Sequence, residues 1–380
     1  MVAGQLASTT PSTHPIQVMT TRNHARLKLA ILDQAPVPAG STPAQALQNS
    51  IELARLADRL GYARYWMSEH HAMETLACTA PEVLLARMGA ETRRIRIGSG
   101  GIMLPHYSAF KVAEVFRTLH ALYPGRVDLG IGRAPGGGPI ESLALKRERG
   151  TRMPDDFEDQ TAELLAYFDR TFPSGHPFGA LRVAPEEPGS PDVWMLGSSQ
   201  WSSNAAAQFG LPYAFAHFFF GIGTRQAIEN YMSSFVPSSR RSSPETMAAV
   251  GVVCAATKDE AEFLASSVRL LQRRIRMNDR RPVASPEDAI GELKLLGGPV
   301  PEEGEWPRYF VGTPQEVRDH LEQMASTLNI GEFIVNTITW DRAARLHSYE
   351  LLAKEFDLQA TALDLAAAQS DLRSEQLRSL

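Results

Sequence analysis

The sequence is poor in cysteine, in net positive charge and in long apolar runs, and each shortage excludes a class of protein. Cys78 and Cys254 are the two cysteines among 380 residues, too few for a disulfide framework and without the spacing of a metal site. The net charge of −5 argues against a nucleic-acid or anionic-membrane protein, because both need a basic surface. No apolar run reaches the ~18 residues of a membrane span.

The two ends of the chain differ in composition from its middle. Residues 1–26 are rich in Ser, Thr and Pro and have no apolar central stretch, so they predict a flexible tail and not a signal peptide. We therefore expect a cytoplasmic protein. Hydrophobic residues make up 43% of the chain, so residues 27–357 are predicted to form one domain with a full core. The Ala/Leu-rich residues 358–380 predict a helical tail.

Short apolar segments alternate with amphipathic helical patterns. After the first segment, Thr42, Pro43 and Gln45 predict an N-cap, a first-turn proline and a capping box, and Gly61 ends the helix. Strands alternating with helices form right-handed parallel βαβ units, and eight of them predict an α/β fold, the (β/α)8 TIM barrel. The predicted strands are 27–32, 64–67, 95–103, 127–131, 193–196, 213–216, 248–253 and 333–336.

An open, doubly wound sheet is the alternative architecture. It normally begins with a Gly-x-Gly-x-x-Gly turn after the first strand, and here residues 33–38 read Asp-Gln-Ala-Pro-Val-Pro, so we favour the barrel. Insertions interrupt the alternation after strands four and seven. Residues 171–191 are Pro/Gly-rich with a strand-like piece at 181–183, and residues 276–306 form a longer irregular segment. Such segments are usually functional lids or disordered loops.

Four histidines follow predicted strands, at the end of a barrel where catalytic residues lie. They are His70 and His71 after the second strand, His106 after the third and His217 after the sixth. A single histidine in such a place is more often a structural residue, but four together favour a site. Zinc or iron would be the alternative use of these histidines and Glu69, yet the usual His-x-His and His-Glu-x-x-His spacings are absent, so we expect no metal.

Two glycine-rich strand ends and a serine-rich helix start complete the candidate site. Residues 98–105 either let a ligand approach the backbone or form a bulge that helps the barrel close. Residues 130–138 place Arg133 among glycines, where a guanidinium can bind phosphate, although glycine-rich loops are common. Residues 196–203 offer hydroxyls and free N–H groups at a helix start, which make an anion site or a simple N-cap.

Taken together, these segments resemble the bacterial luciferase-like flavin monooxygenases. The resemblance extends over residues 27–356 and is carried, in order, by residues 66–71, 98–105, 130–133, 196–199 and 311–314. It implies a barrel that binds reduced FMN, delivered by a separate flavin reductase that is a transient partner. It also implies a homodimer. The predicted helices between residues 79 and 122 agree with this, since Leu84, Leu85 and Met88 extend their apolar surface beyond one stripe.

By position, the resemblance implies which residues hold the cofactor. His70 matches the histidine beside the reactive edge of the flavin, where it would act as a general acid or base. Apart from the resemblance, the adjacent His71 should point away from the site, because neighbouring side chains at a strand end alternate in direction. The Gly100–Gly101 bond matches a non-proline cis peptide that lies against the flavin ring. The predicted FMN-binding residues are Gly100, Gly101, Met103, Leu196 and Gly197, with Arg133, Ser198, Ser199 and Ser202 on the phosphate.

The substrate is predicted only as a class. Its pocket would be lined by Asp33, His106, His217 and Phe218, and the run of phenylalanines at 218–220 favours an apolar or aromatic substrate, a core or dimer-interface role being equally open. Light-emitting relatives carry a reactive cysteine at the position of Gly132 and a glutamate at that of Ser198. Light emission and an aldehyde substrate are therefore not implied.

The resulting hypothesis is a monooxygenase that uses reduced FMN and O2. Two alternatives stay open: a deazaflavin-dependent dehydrogenase or reductase on the same barrel, which transfers hydride without O2, and a non-catalytic flavin-binding subunit. The presence of Glu69, His70 and Arg133 argues against the second, because a storage protein needs no base.

Overall fold

Eight parallel strands close into a barrel in the computed structural model, which describes residues 27–145 and 155–359. The barrel predicted from the sequence is confirmed. A ninth strand pairs with β7 outside the ring and had not been predicted. The barrel strands are β1 (Lys28–Asp33), β2 (Arg64–Met67), β3 (Arg96–Met103), β4 (Val127–Gly132), β5 (Asp192–Gly197), β6 (Tyr213–Ala216), β7 (Thr246–Cys254) and β9 (Glu332–Asn336), and the outer strand is β8 (Tyr309–Gly312).

Helices follow the strands and cover the outside of the barrel. They are α1 (Pro43–Leu60), α2 (Pro81–Glu91), α3 (Ala109–Leu122), α4 (Pro139–Leu145), α5 (Phe157–Asp169), α6 (Gln200–Gln208), α7 (His217–Phe220), α8 (Thr224–Ser234), α9 (Lys258–Arg276), α10 (Pro286–Leu295), α11 (Pro314–Leu328) and α12 (Arg342–Glu355). Within the described part of the chain, no helix is long and apolar enough to cross a membrane. The predicted tail at 1–26 and residues 360–380 of the predicted C-terminal helix lie outside the described residues.

Local sequence signals set the helix ends. Thr42 caps α1 by accepting a hydrogen bond from the backbone N–H of Gln45, and Gly61 ends the helix in the left-handed conformation. The capping box predicted there is only half formed, because the Gln45 side chain donates to Asn49 instead of returning to the cap. Thr313 forms a complete box with the third residue of α11.

The barrel interior is filled by apolar side chains, as expected for parallel strands buried on both faces. Trp66 and Trp194 meet edge to face inside it, with ring centroids 5.6 Å apart. Leu196 and Phe218 pack on this interior cluster at the carboxyl end of the strands. The interior therefore presents an apolar floor to that end of the barrel.

Buried ion pairs close the opposite, amino end of the barrel. Arg64 donates to Glu332 at 2.7 Å and to Asp128 at 2.9 Å, and the Trp66 indole N–H donates to the same Asp128 carboxylate at 2.9 Å. Burial alone would raise the pKa of Asp128, but the guanidiniums of Arg64 and Arg96 hold it below its ordinary value. Polar residues at this end of a TIM barrel serve stability and not chemistry.

The insertion at 171–191 contains no strand, so the strand-like piece predicted at 181–183 is wrong. Among the residues that the structure describes, no strand pairs with it; a short 3-10 turn at Pro177–Ala180 precedes it. The buried guanidinium of Arg117 fixes the segment by donating to the backbone carbonyls of Glu187 and Gly189.

The insertion at 276–306 is less irregular than predicted, because it contains α10. Ser285 caps this helix, and Leu270 of α9 packs with Ala289 and Leu293 of α10. Between the two helices, the backbone of Val283 exchanges hydrogen bonds with Val37 and Ala39 after β1. The insertion thus forms part of the rim at the carboxyl end of the barrel.

Candidate active site

Glu69 is the centre of a hydrogen-bond network at the carboxyl end of the barrel. Its carboxylate is fully buried and accepts from the Tyr107 hydroxyl at 2.6 Å, from His71 Nε2 at 2.7 Å and from the Met103 backbone N–H at 2.9 Å. Burial, followed by the Glu69 carboxylate, raises the pKa of Tyr107, so its hydroxyl keeps the hydrogen that it donates. One carboxylate therefore joins the loop after β2 to the end of β3 and the turn that follows.

The two adjacent histidines have different surroundings. His70 faces Cys78, with 3.5 Å between its Nδ1 and the sulfur, whereas His71 bonds Glu69. Burial, followed by the charge of His71, lowers the pKa of His70 to about 4. The strand ends at Met67, so strand alternation does not extend to residues 68–71, and His71 does not point away from the network.

The glycine loop after β4 is attached to this network at two consecutive carbonyls. His106 Nε2 lies 2.8 Å from the Pro135 carbonyl, and the His71 backbone N–H donates to the Gly136 carbonyl at 2.9 Å. Gly136 has a φ of +63°, and a Cβ there would lie 3.1 Å from a Met103 carbon. The loop that carries Arg133 therefore takes its position from the histidine cluster, and predicted His106 serves here as a backbone anchor.

The Gly100–Gly101 peptide bond is cis, as the resemblance implied. It lies where the pairing register between β3 and β4 shifts, between Ser99 and Ile102. A Cβ on Gly100 would lie 2.6 Å from a methyl carbon of Leu32, and one on Gly101 would lie 2.8 Å from the Gly130 carbonyl oxygen. A side chain on Gly101 would therefore meet backbone, whereas one on Gly100 would require the end of the Leu32 side chain to move. The predicted contact of this bond with a flavin ring stays a prediction.

Arg133 reaches the start of α6, where the resemblance placed a phosphate. Its guanidinium carbon lies 3.8 Å from the ring centroid of Trp201, in the first turn of the helix, and its side chain is 41% exposed. An exposed carboxylate, Asp155, pairs with it at 3.1 Å. The structure thus brings the predicted arginine and the predicted serine segment together.

The serines of that segment differ in how they are used. Ser199 and Ser202 form a reciprocal capping box at the start of α6, and the Ser202 hydroxyl also lies 3.0 Å from the Tyr213 hydroxyl. Gly197 must be a glycine here, because a Cβ would lie 2.2 Å from the Ser202 oxygen. The predicted N-cap is therefore present, and Ser198 and the exposed Ser199 lie at the amino-terminal end of α6.

Asp33 and His217, two of the predicted substrate-binding residues, already form hydrogen bonds with other residues of the chain. Asp33 is fully buried and accepts from the Arg345 guanidinium at 2.7 Å, from the Ala35 N–H at 2.8 Å and from the Tyr65 hydroxyl. His217 is buried between the Thr224 hydroxyl, 2.7 Å from Nδ1, and a backbone carbonyl 3.1 Å from Nε2. Burial lowers the pKa of His217, so it is neutral. A substrate contact by either residue would have to replace one of these bonds.

Sequence reasoning gave no site role to several residues of this region. Tyr107 follows His106 directly, and this position in the sequence could have indicated that it lies near the cluster. Arg345, in contrast, is far along the chain from its partner Asp33, and Cys78 belongs to no motif. Arg280, from the insertion, donates to Glu141 of α4 at 2.5 Å and to the Ala72 carbonyl at 3.0 Å, which ties the insertion to the rim of the site. Among residues 27–145 and 155–359, no three His, Cys, Asp or Glu side chains are placed to share a metal ion.

Comparison with known proteins gives matches along almost the whole described chain. The family described as luciferase-like monooxygenase matches residues 27–328. A luciferase-like monooxygenase of Escherichia coli (strain K12) is 38% identical over 328 residues, with 86% of this chain and 96% of the relative covered. The N-acetyl-S-alkylcysteine monooxygenase of Bacillus subtilis (strain 168) is 35% identical, with 86% and 97% covered. The crystal structure of apo-MsnO8 has a TM-score of 0.81 and 46% identity, with 88% and 99% covered.

Proposed function

Since the chain belongs to the luciferase-like monooxygenase family, we propose that it is an FMN-dependent monooxygenase that oxidises a small organic substrate with O2. The contact between Arg133 and Trp201 carries the proposal, because it places a guanidinium at the positive end of α6. A phosphate there would meet Arg133, backbone N–H groups of the first turn and the hydroxyls of Ser198 and Ser199. This donor set fits the phosphate of FMN.

Bound reduced FMN would supply two electrons and two protons, so that one atom of O2 enters the substrate and the other leaves as water. The chain's own groups hold and orient the reactants. The bare backbone of Gly100 and Gly101 gives a flat wall beside the barrel interior, and Leu196 and Phe218 cover that interior with apolar surface. Such a surface excludes water from the reacting atoms.

The apolar floor favours a substrate with an apolar end. The Bacillus subtilis relative is named for N-acetyl-S-alkylcysteine, in which an alkyl thioether is joined to a polar amino-acid derivative. We propose a substrate of similar build, with its apolar group on Phe218. The neutral His70 would lie beside the cofactor, as the resemblance implies, and reduced FMN would come from a separate reductase.

We also propose a homodimer, built on the exposed faces of α2 and α3. The prediction that Leu85 and Met88 contribute to this surface is wrong, since both are fully buried in the core of the subunit. The available apolar side chains on these two helices are Val83, 66% exposed, and Leu122, 58% exposed. Val83 and Leu122 are therefore the residues through which a second copy would pack.

Anaerobic titration of the purified protein with reduced FMN tests the proposed function, with flavin fluorescence as the readout. Parallel titrations with riboflavin and with the reduced deazaflavin identify the preferred cofactor. We expect reduced FMN to bind most tightly and the bound flavin to be oxidised when O2 is admitted. Preference for the deazaflavin, with no reaction towards O2, would favour the dehydrogenase alternative.

A further inference from the structure

We propose that the cavity between α3, the end of α5 and the insertion at 171–191 binds a small oxyanion, such as phosphate or a dicarboxylate. The guanidinium of Arg117 holds the anion from the side of the barrel, and that of Arg182 holds it from the side of the insertion. The site lies on the outer wall of the barrel, so the inference goes beyond the proposed function at the carboxyl end and does not depend on it.

Arg117 differs from the other buried arginines. Five arginines in the described part of the chain are buried, and Arg117, 8% exposed, is one of them. The other four each contact a carboxylate at 3.0 Å or less; they are Arg64, Arg274, Arg308 and Arg345. Arg117 forms no ion pair with any of the described residues. Because buried charges in proteins are normally paired, its surroundings lack one negative charge.

Backbone carbonyls use only part of the hydrogen-bonding capacity of Arg117. Its two terminal nitrogens donate to the carbonyls of Gly189 at 2.6 Å, Phe168 at 3.0 Å and Glu187 at 3.1 Å. A guanidinium has five N–H groups, and Nε of Arg117 is enclosed with no acceptor among the described residues. The Phe168 ring, whose centroid lies 5.7 Å from the guanidinium carbon, adds only a weak cation–π contact.

The carboxylates nearest to Arg117 are already paired with other arginines. Asp169 contacts Arg240 at 2.6 Å, and Glu186 contacts Arg170 at 2.9 Å. Burial, followed by the charges of Arg170 and Arg240, lowers the pKa of Arg117 in spite of these two carboxylates. Positive charge is therefore in excess around the buried guanidinium.

A cavity of about 210 Å³ adjoins Arg117, far more space than one water molecule fills. Its charged lining consists of Arg117, Arg170, Arg182, Glu186 and Glu187. The three guanidiniums outnumber the two carboxylates, and Glu186 is already paired with Arg170. Arg182 is exposed and has no ion pair within the described ranges, so it is the second guanidinium available to an anion.

Guanidiniums favour oxyanions because their N–H groups form a planar fork that matches carboxylate or phosphate oxygens. An oxyanion in the cavity accepts hydrogen bonds from Arg117 of α3 and from Arg182 of the insertion at the same time. It supplies the negative charge that Arg117 lacks and links the insertion to the barrel wall. Bound anion should therefore slow backbone hydrogen exchange in residues 171–191.

Calorimetric titration of the full chain with inorganic phosphate and with succinate tests the inference, at an ionic strength held constant with sodium chloride. Hydrogen exchange measured by mass spectrometry then locates the bound anion. We expect binding of at least one of the two anions, with slower exchange in residues 171–191. Because the proposed cofactor site would also take phosphate, both measurements are repeated in Arg133→Ala, where binding and protection should persist.

Variants of the lining should change the affinity in opposite directions. Arg117→Lys keeps the charge but loses the fork, so the anion should bind about 10-fold more weakly or worse. Arg182→Ala should weaken binding about 2- to 5-fold, since its guanidinium is exposed to solvent, and Glu187→Gln should strengthen binding by a similar factor. Arg276→Ala is the matched control, because Arg276 is also exposed and without an ion pair in the described ranges, yet lies outside the cavity.

Several results would overturn the inference. One is the absence of binding with both anions, and another is binding that disappears in Arg133→Ala and leaves residues 171–191 unprotected. Equal losses in Arg182→Ala and Arg276→Ala would mean that the anion responds only to net charge. If Arg117→Lys does not fold, Arg182→Ala and Glu187→Gln still decide the question. A protein that protects residues 171–191 with anion but binds no flavin would contradict the proposed function and support this site.

Discussion

Replacing Arg133 by alanine should weaken binding of FMN far more than binding of riboflavin, which lacks the phosphate. The guanidinium would make charge-assisted hydrogen bonds to the phosphate, and bonds of this type contribute about 1.5–3 kcal/mol. That corresponds to a loss of about 10- to 100-fold in affinity. The stacking of Arg133 on Trp201 exists before any ligand binds, so its loss adds little to the difference between the two ligands.

The assay is paired fluorescence titration with FMN and riboflavin, in the wild type and in two variants. Arg225→Ala is the matched control, since Arg225 is 42% exposed, pairs with Glu305 and lies over a tryptophan ring, with its guanidinium carbon 5.5 Å from the Trp306 centroid. The control should leave both affinities unchanged. Equal losses for FMN and riboflavin in Arg133→Ala would refute the phosphate assignment, because only FMN carries the group that Arg133 is expected to bind.

Three further predictions concern stability and assembly. Asp128→Ala should lower the free energy of unfolding by about 3–5 kcal/mol in chemical denaturation, because it removes the buried carboxylate that Arg64, Arg96 and the Trp66 indole share. The folded pKa of Asp128 is lowered, so its contribution is complete above about pH 4 and is lost as the pH falls towards that lower value. Gly101→Ala should cost about 1–3 kcal/mol by the same assay, since its Cβ would lie 2.8 Å from the Gly130 carbonyl oxygen. Val83→Asp should shift light scattering towards the monomer.

Each of these predictions has a result that contradicts it. Wild-type stability in Asp128→Ala would mean that the buried ion pairs at the amino end are not coupled to folding. An unchanged midpoint of unfolding in Gly101→Ala would show that the backbone at Gly130 yields to an added methyl group. A wild-type protein that is already monomeric at micromolar concentration would remove the proposed dimer altogether.

Features governed by local sequence were predictable, and features governed by tertiary contacts were not. Thr42 and Thr313 cap helices through residues three positions away, so their roles can be read from short patterns. The four residues of β8 carry no such pattern and pair only with part of β7. Ser285 and Pro286 do mark the start of α10, but the prolines and glycines around them made the whole segment look irregular.

The same distinction applies to the site. The motifs around His70 and Arg133 follow strands directly and Gly100 lies in the second half of β3, so their placement towards one end of the barrel follows from the order of strands and helices. In contrast, the carboxylate of Asp33 is paired with Arg345, which lies more than 300 residues further along the chain. No periodicity connects such positions, and the buried role of Asp33 emerges only when the barrel closes.

We propose that this barrel uses reduced FMN to insert one atom of O2 into an organic substrate. The most direct measurement supplies the protein with reduced FMN, isotopically labelled O2 and an N-acetyl-S-alkylcysteine probe, and analyses the oxidised probe by mass spectrometry. We expect one labelled oxygen atom in each molecule of product. A product whose added oxygen comes from water, or turnover with the deazaflavin in the absence of O2, would contradict it.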